Sequence, residues 1–222
     1  MLSNILFTFF LCSLVLVAVV ANHIQAVNGR IKITTLTTAG CPDTVRFINE
    51  QLAPAYEAYG ELLDIEFVPW GRTVRYDNGT FYCQFSQVNC WANRLQRCVL
   101  NLLKDNQDAQ MRYMTCEFGT VQPAFHNNSY LCAVNEGLSL VDVDYCLNNR
   151  ELDNLDDIAE EASQEPMEVI NFVPAIVIND IVDYDIHSET LKRLESMVCF
   201  ALADINNTDV SFCHVDVNFN RN

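Results

Sequence analysis

Ten cysteines are where this chain could do chemistry, and they are unevenly spread. Cys83, Cys90 and Cys98 form one cluster, Cys116, Cys132 and Cys146 a second, and Cys199 and Cys213 a pair near the C-terminus. Cys12 lies in an apolar leader. Its removal leaves nine of the ten, an odd number in which at least one thiol has no intramolecular partner. Cys41 stands 42 residues before the next cysteine, so the grouping favours it as the free thiol and the other eight as a disulfide framework. Eight cysteines allow roughly a hundred pairings, and spacing alone selects none of them. Zinc is a poor alternative, because no cysteine pair has the close spacing of a ligand pair and the chain has only 4 histidines.

The surroundings of Cys41 say what a free thiol there can do. Ile31–Thr38 alternates apolar and β-branched polar residues and is predicted to be a strand. Ala39-Gly40-Cys41-Pro42-Asp43 then turns the chain, with Pro42 suited to the first position of a helix. Val45, Phe47, Ile48, Leu52 and Ala55 continue at helical spacing, and Pro54 is expected to bend or end that helix. A thiol at such a position faces unpaired backbone N–H groups, which favour the thiolate nucleophile of disulfide exchange. Asp43 brings an opposing negative charge, and Thr44, one turn on, is placed to donate a hydrogen bond to the sulfur. A modestly activated thiol follows.

The remaining elements frame this unit. Leu62–Pro69 is predicted to be a second strand, so the N-terminal part reads as strand, helix, strand. Residues 81–165 read mostly as short helices tied by cysteines, and within them 151–165 carries seven acids and no base, a pattern that favours a solvated helix face over a binding surface. The apolar run Asn171–Ile178 contains Pro174 and is predicted to be a third strand, with Val182–Ile186 as a short partner. Ser188 is expected to cap a final helix through Leu191, Leu194, Val198 and Leu202.

Composition narrows the setting. Asp plus Glu number 29 against 13 Lys plus Arg, a formal charge of −16, which argues against nucleic acid and against anionic membrane faces. Residues 1–21 read as a secretory signal, with Ala26 marking a second, later cleavage position. Three N-x-S/T sequons, at Asn78, Asn127 and Asn206, agree with export, and each asparagine is an expected glycosylation site. One domain over 30–213 is expected, with a helical insertion at about 81–165 and a tail at 214–222.

The segment from Cys83 to Cys98 (CQFSQVNCWANRLQRC) resembles the gamma-interferon-inducible lysosomal thiol reductase family, whose pattern is C-Q-H-G-x-x-E-C-x-x-N-x-x-x-x-C. Cys83, Gln84, Cys90, Asn93 and Cys98 agree, while Phe85, Ser86 and Asn89 stand where the pattern has His, Gly and Glu. Val68-Pro69-Trp70-Gly71 and Phe172-Val173-Pro174 also look like family segments. The resemblance implies an α/β, thioredoxin-like fold with a disulfide-rich helical insertion, and it makes Pro174 a cis-proline facing Cys41. It implies thiol–disulfide chemistry in a secreted or lysosomal setting linked to host defence, without a cofactor. The family's Cys-x-x-Cys is here Cys41-Pro42-Asp43-Thr44, so Thr44 replaces the cysteine that resolves the mixed disulfide. Two functions follow: a monothiol exchange catalyst acting on protein disulfides and resolved by an external thiol such as glutathione or cysteine, or a non-catalytic secreted protein that binds a partner. Oligomeric state is left open.

Overall fold

A strand with both faces covered organises the molecule. The computed structural model describes residues 24–203 together with Cys213; the leader at 1–21, the sequon at Asn206 and the 214–222 tail lie outside these residues. β1 (Ile31–Thr37) lies between β2 (Leu63–Pro69), which is parallel to it, and β5 (Ala175–Ile178), which is antiparallel. Ile31, Ile33, Ile65, Ile176 and Ile178 pack with Phe47, Ile48, Leu52, Leu95, Val198 and Leu202. Leu36, Val68, Ala175 and Val177 pack with Trp70, Ala159 and Ile170 in a second cluster. A sheet covered on both faces needs strands that are apolar on both sides, and every residue of β1 except Lys32 is buried.

Helical structure begins at Pro42 with α1 (Pro42–Phe47), continues through a π-helical turn over Ile48–Leu52, and ends in α2 (Ala53–Tyr59). Pro54 therefore neither ends the run nor stands alone. It has no N–H for the carbonyl four residues back, and the wider turn just before it absorbs that defect.

Three expectations need correction. No strand forms over Val182–Ile186; α9 (Tyr184–Ala203) begins there instead, and only an isolated bridge joins Ile178 to Ile181. The Asp183 side chain accepts a hydrogen bond from the Ile186 N–H at 2.8 Å, so the start is capped five residues before Ser188. The middle region also holds two long helices, of 16 and 20 residues, among its short ones. A two-residue hairpin, β3 (Val74–Arg75) and β4 (Phe81–Tyr82), leads into α3 (Gln87–Leu102), α4 (Gln107–Glu117), α5 (Pro123–Asn127), α6 (Leu131–Asn135), α7 (Leu140–Leu147) and α8 (Arg150–Val169). Nor is the acidic run simply a solvated face. Asp156 is 1% exposed and its carboxylate binds Arg97 of α3, while Asp157 and Glu160 pair with Arg75 at 2.5 Å.

Four disulfides join Cys83 to Cys90, Cys98 to Cys146, Cys116 to Cys132 and Cys199 to Cys213. The second closes the longest loop, 48 residues, and ties α3 to α7 in a small buried cluster with Leu152. In the chain-entropy account such a loop stabilises by about 4 kcal/mol.

Candidate active site around Cys41

Among the described residues Cys41 is the one free cysteine. It sits at the boundary of α1 in extended conformation (φ −78°, ψ 118°), and its carbonyl accepts from the Val45 N–H at 3.0 Å. The residue is only 4% exposed. The thiol is therefore unpaired, as the spacing suggests, but covered by protein. Its Sγ donates to the Val173 carbonyl at 3.5 Å. Thr44 does not reach the sulfur: it is fully buried and its hydroxyl has no hydrogen-bond partner. Asp43 lies 3.4 Å from Arg46, an exposed pair one turn apart, so part of its opposing charge is met by a neighbouring cation.

Two asparagines of α3 hold the turn that carries Cys41. Asn93 Oδ1 accepts from the Ala39 N–H at 2.8 Å, and Asn89 Nδ2 donates to the Ala39 carbonyl at 2.9 Å. Both side chains are buried, so both polar groups of one peptide residue are satisfied by neighbouring turns of a single helix. Asn93 belongs to the motif. Asn89 replaces the motif's acid, and nothing in the sequence announced its role.

Gly40 has φ +83°, and a Cβ placed there would lie 2.4 Å from the Phe125 ring. Glycine is required on both counts. Phe125 meets Phe85 edge to face, with centroids 6.4 Å apart, so an aromatic pair from α5 and the Cys83–Cys90 loop stands beside Gly40, the residue before Cys41. Phe125 was not anticipated; it has no motif of its own.

The opposite wall comes from the segment before β5. The Val173–Pro174 peptide is cis, and the Val173 carbonyl is the group that meets Cys41 Sγ. Pro174 and Cys41, which lie 133 positions apart, are thereby brought together. His187 of α9 anchors this segment, its Nδ1 accepting from the Ile176 N–H at 3.2 Å with the ring against Phe172. Burial lowers the imidazole from its ordinary 6.5 to about 4. A neutral His187 therefore contributes stability that is complete above pH 6.5 and is lost as pH falls toward 4. Between pH 7.5 and pH 5 the loss is about 2 kcal/mol. Urea unfolding of the protein and of His187→Gln at both pH values should show the gap between them shrinking by that amount; a constant gap would show that the folded protein takes up the proton as readily as the unfolded chain.

Of the other expected site residues, Asn78 and Asn127 are exposed. Asn78 Oδ1 accepts from both the N–H and the hydroxyl of Thr80, which leaves its amide nitrogen toward solvent. Gln84 is exposed, and Cys98 lies in the α3–α7 disulfide. Among the described residues no group of three or more His, Cys, Asp or Glu could hold a metal ion, and no helix is long and apolar enough to cross a membrane.

Residues 32–136 match the family described as "Gamma interferon inducible lysosomal thiol reductase (GILT)". Over those residues the chain is similar to that family, and curated relatives extend the similarity over most of its length. GILT-like protein 1 of Drosophila melanogaster is 26% identical over 177 residues, covering 72% of this chain and 70% of that protein. GILT-like protein 2 of the same organism is 23% identical over 188 residues, covering 83% and 86%. The crystal structure of oxidoreductase DsbA from Xylella fastidiosa superimposes with a TM-score of 0.50 at 16% identity, over 82% of this chain and 92% of that one. The fold is thus α/β and thioredoxin-like, with disulfide-rich helices. By family resemblance this chain is thiol–disulfide oxidoreductase-like, and the four disulfides among its described residues fit an oxidising, extracellular type of environment.

Proposed function

We propose that this GILT-like chain is a secreted or lysosomal monothiol–disulfide exchange protein whose nucleophile is Cys41. The supporting observation is a free cysteine at a helix start, held through Ala39 by two buried asparagines and facing the carbonyl of a cis X-Pro peptide. The Cys41 thiolate attacks one sulfur of a protein disulfide; a Cys41–substrate disulfide forms and the other substrate sulfur leaves as a thiolate. Thr44 cannot perform the second attack, because a hydroxyl does not displace a thiolate from sulfur. A small thiol such as glutathione or cysteine displaces the substrate and is left disulfide-bonded to Cys41. A second small thiol then restores the free Cys41 and leaves as a disulfide with the first. One domain over 30–213 carries this chemistry, with a cleaved leader at 1–21 and glycans at Asn78, Asn127 and Asn206.

The test is disulfide exchange on a protein substrate with and without millimolar reduced glutathione, comparing the protein with Cys41→Ser. Glutathione-dependent turnover should fall at least tenfold in the variant, and equal rates would dispose of the proposal. The low exposure of Cys41 favours a second reading, a partner-binding protein on the same scaffold. Partner binding that persists in Cys41→Ser, together with equal exchange rates, would select it.

A further inference from the structure

A cleft of about 570 Å³ lies between β4, α3 and α7, and the exchange chemistry makes no use of it. Phe81 lines it from β4, Trp91 and Arg94 from α3, Tyr130 from just before α6, and Asp144 and Asn148 from the end of α7. Asn89 and Asn93, which hold Ala39, lie on a different face of α3, roughly 150° around the helix from Trp91 and Arg94. Two disulfides fix the walls. Cys83–Cys90 ties the chain just after β4 to α3, and Cys98–Cys146 ties α3 to α7. Walls that are crosslinked before a ligand arrives lose little affinity to ordering.

The lining favours a cation. Trp91 and Tyr130 meet edge to face with centroids 5.6 Å apart, and both are half-buried, so each ring keeps some surface toward the cleft. Aromatic faces attract positive charge through their quadrupoles. Asp144 is exposed and pairs with no basic side chain among the described residues; its carboxylate accepts from Asn148 Nδ2 of the same helix at 3.1 Å. Burial, and after it the charge of Asp144, holds the Tyr130 phenol above its ordinary 10, so that hydroxyl stays neutral. Arg94 already shows how a guanidinium packs here. It lies 5.2 Å over the Phe81 ring, with Nη2 3.2 Å from Asp156 and 4.0 Å from Asp153. Two carboxylates therefore meet its charge, and among the described residues no unmatched cation lines the cleft to hold an anion. The formal charge of −16 on the chain draws cations toward it at longer range.

We propose that this cleft binds an arginine side chain presented by a partner protein, its guanidinium packed on the Trp91–Tyr130 pair and paired with the Asp144 carboxylate. Arginine fits better than lysine, because a planar guanidinium stacks on a ring and donates two hydrogen bonds to one carboxylate at the same time. The site does not depend on Cys41 reacting, so it stands apart from the exchange reading.

The test titrates the protein at low salt with acetyl-Gly-Arg-Gly-amide and with the same peptide carrying citrulline, the uncharged isostere of arginine. Fluorescence reports on Trp91, since the other of the 2 tryptophans, Trp70, is only 2% exposed; calorimetry repeats the comparison without relying on emission. The arginine peptide should bind at least about tenfold more tightly than the citrulline peptide, and Asp144→Asn should abolish that preference. Asp144 is exposed, so an amide of the same shape there leaves the fold intact. Equal affinities for the two peptides overturn the proposal, as does the absence of saturable binding or a preference that survives in Asp144→Asn. Neither peptide contains a thiol or a disulfide, so a failure of Cys41 in exchange leaves this result untouched.

Discussion

Under the proposed exchange mechanism, Thr44→Cys is expected to replace release by external thiol with release by the protein itself. Thr44 is fully buried and its hydroxyl bonds to nothing, so replacing it by a small apolar thiol leaves no polar group orphaned. Positions three apart on a helix stand about 5–6 Å from each other, within the range a disulfide can span. The new thiol would attack the Cys41–substrate disulfide from the next turn, expelling the substrate and leaving a bridge between Cys41 and the introduced sulfur that a dithiol reductant reopens. Intramolecular attack from a fixed position acts at an effective concentration far above millimolar glutathione. The lifetime of the mixed disulfide should therefore fall by on the order of 10²-fold. Acid quenching followed by intact-mass spectrometry measures it directly, with Thr44→Ser as the control for packing. An unchanged lifetime would mean that the second attack is not what Thr44 withholds.

Asp156→Ala should destabilise the fold by about 3–5 kcal/mol, because it strands a buried guanidinium. Arg97 donates to both Asp156 and the Pro69 carbonyl, lies 5.1 Å over the Trp70 ring, and is 5% exposed. Burial already lowers its guanidinium to about 10, against the attraction of Asp156. Arg94, whose Nη2 lies 3.2 Å from the same carboxylate, would also lose its nearer acidic partner and keep Asp153 at 4.0 Å. Pro69 ends β2 opposite Thr37, two residues before the Ala39 held by Asn89 and Asn93, so the damage should reach the Cys41 turn. Urea unfolding at pH 7 gives the stability change. The apolar pair Arg97→Met with Asp156→Leu should recover most of it, since the cost lies in the unpaired charge rather than in the lost pair. A loss under about 1 kcal/mol for the single variant would show that water reaches Arg97 and solvates it.

Much of the frame was legible in the chain. Ile31–Thr37 reads as a strand because its residues are apolar or β-branched, Pro42 marks a helix start because its ring presets φ, and Leu63–Pro69 carries the same strand signal. The isolation of Cys41 was enough to single it out from the eight that pair. Val182–Ile186 misled because a short β-branched run carries no mark of its partner, and Asp183 offered its side chain to the Ile186 N–H, starting a helix instead. Residues 151–165 misled for a related reason. Seven acids look solvated in one dimension, yet Asp156 is buried against an arginine 59 positions away.

The sequence by itself determined the element order around the thiol, the cysteine that would be left over and the threonine three residues after it, because propensity, proline stereochemistry and residue identity are local properties. Tertiary structure alone decided which of the roughly hundred pairings the eight cysteines adopt, that Asn89 and Asn93 hold Ala39, that the sulfur meets the Val173 carbonyl, and that Phe125 packs against Gly40. Those outcomes depend on distances between residues far apart along the chain. Such distances exist only once packing has brought the helices of the middle region onto the sheet.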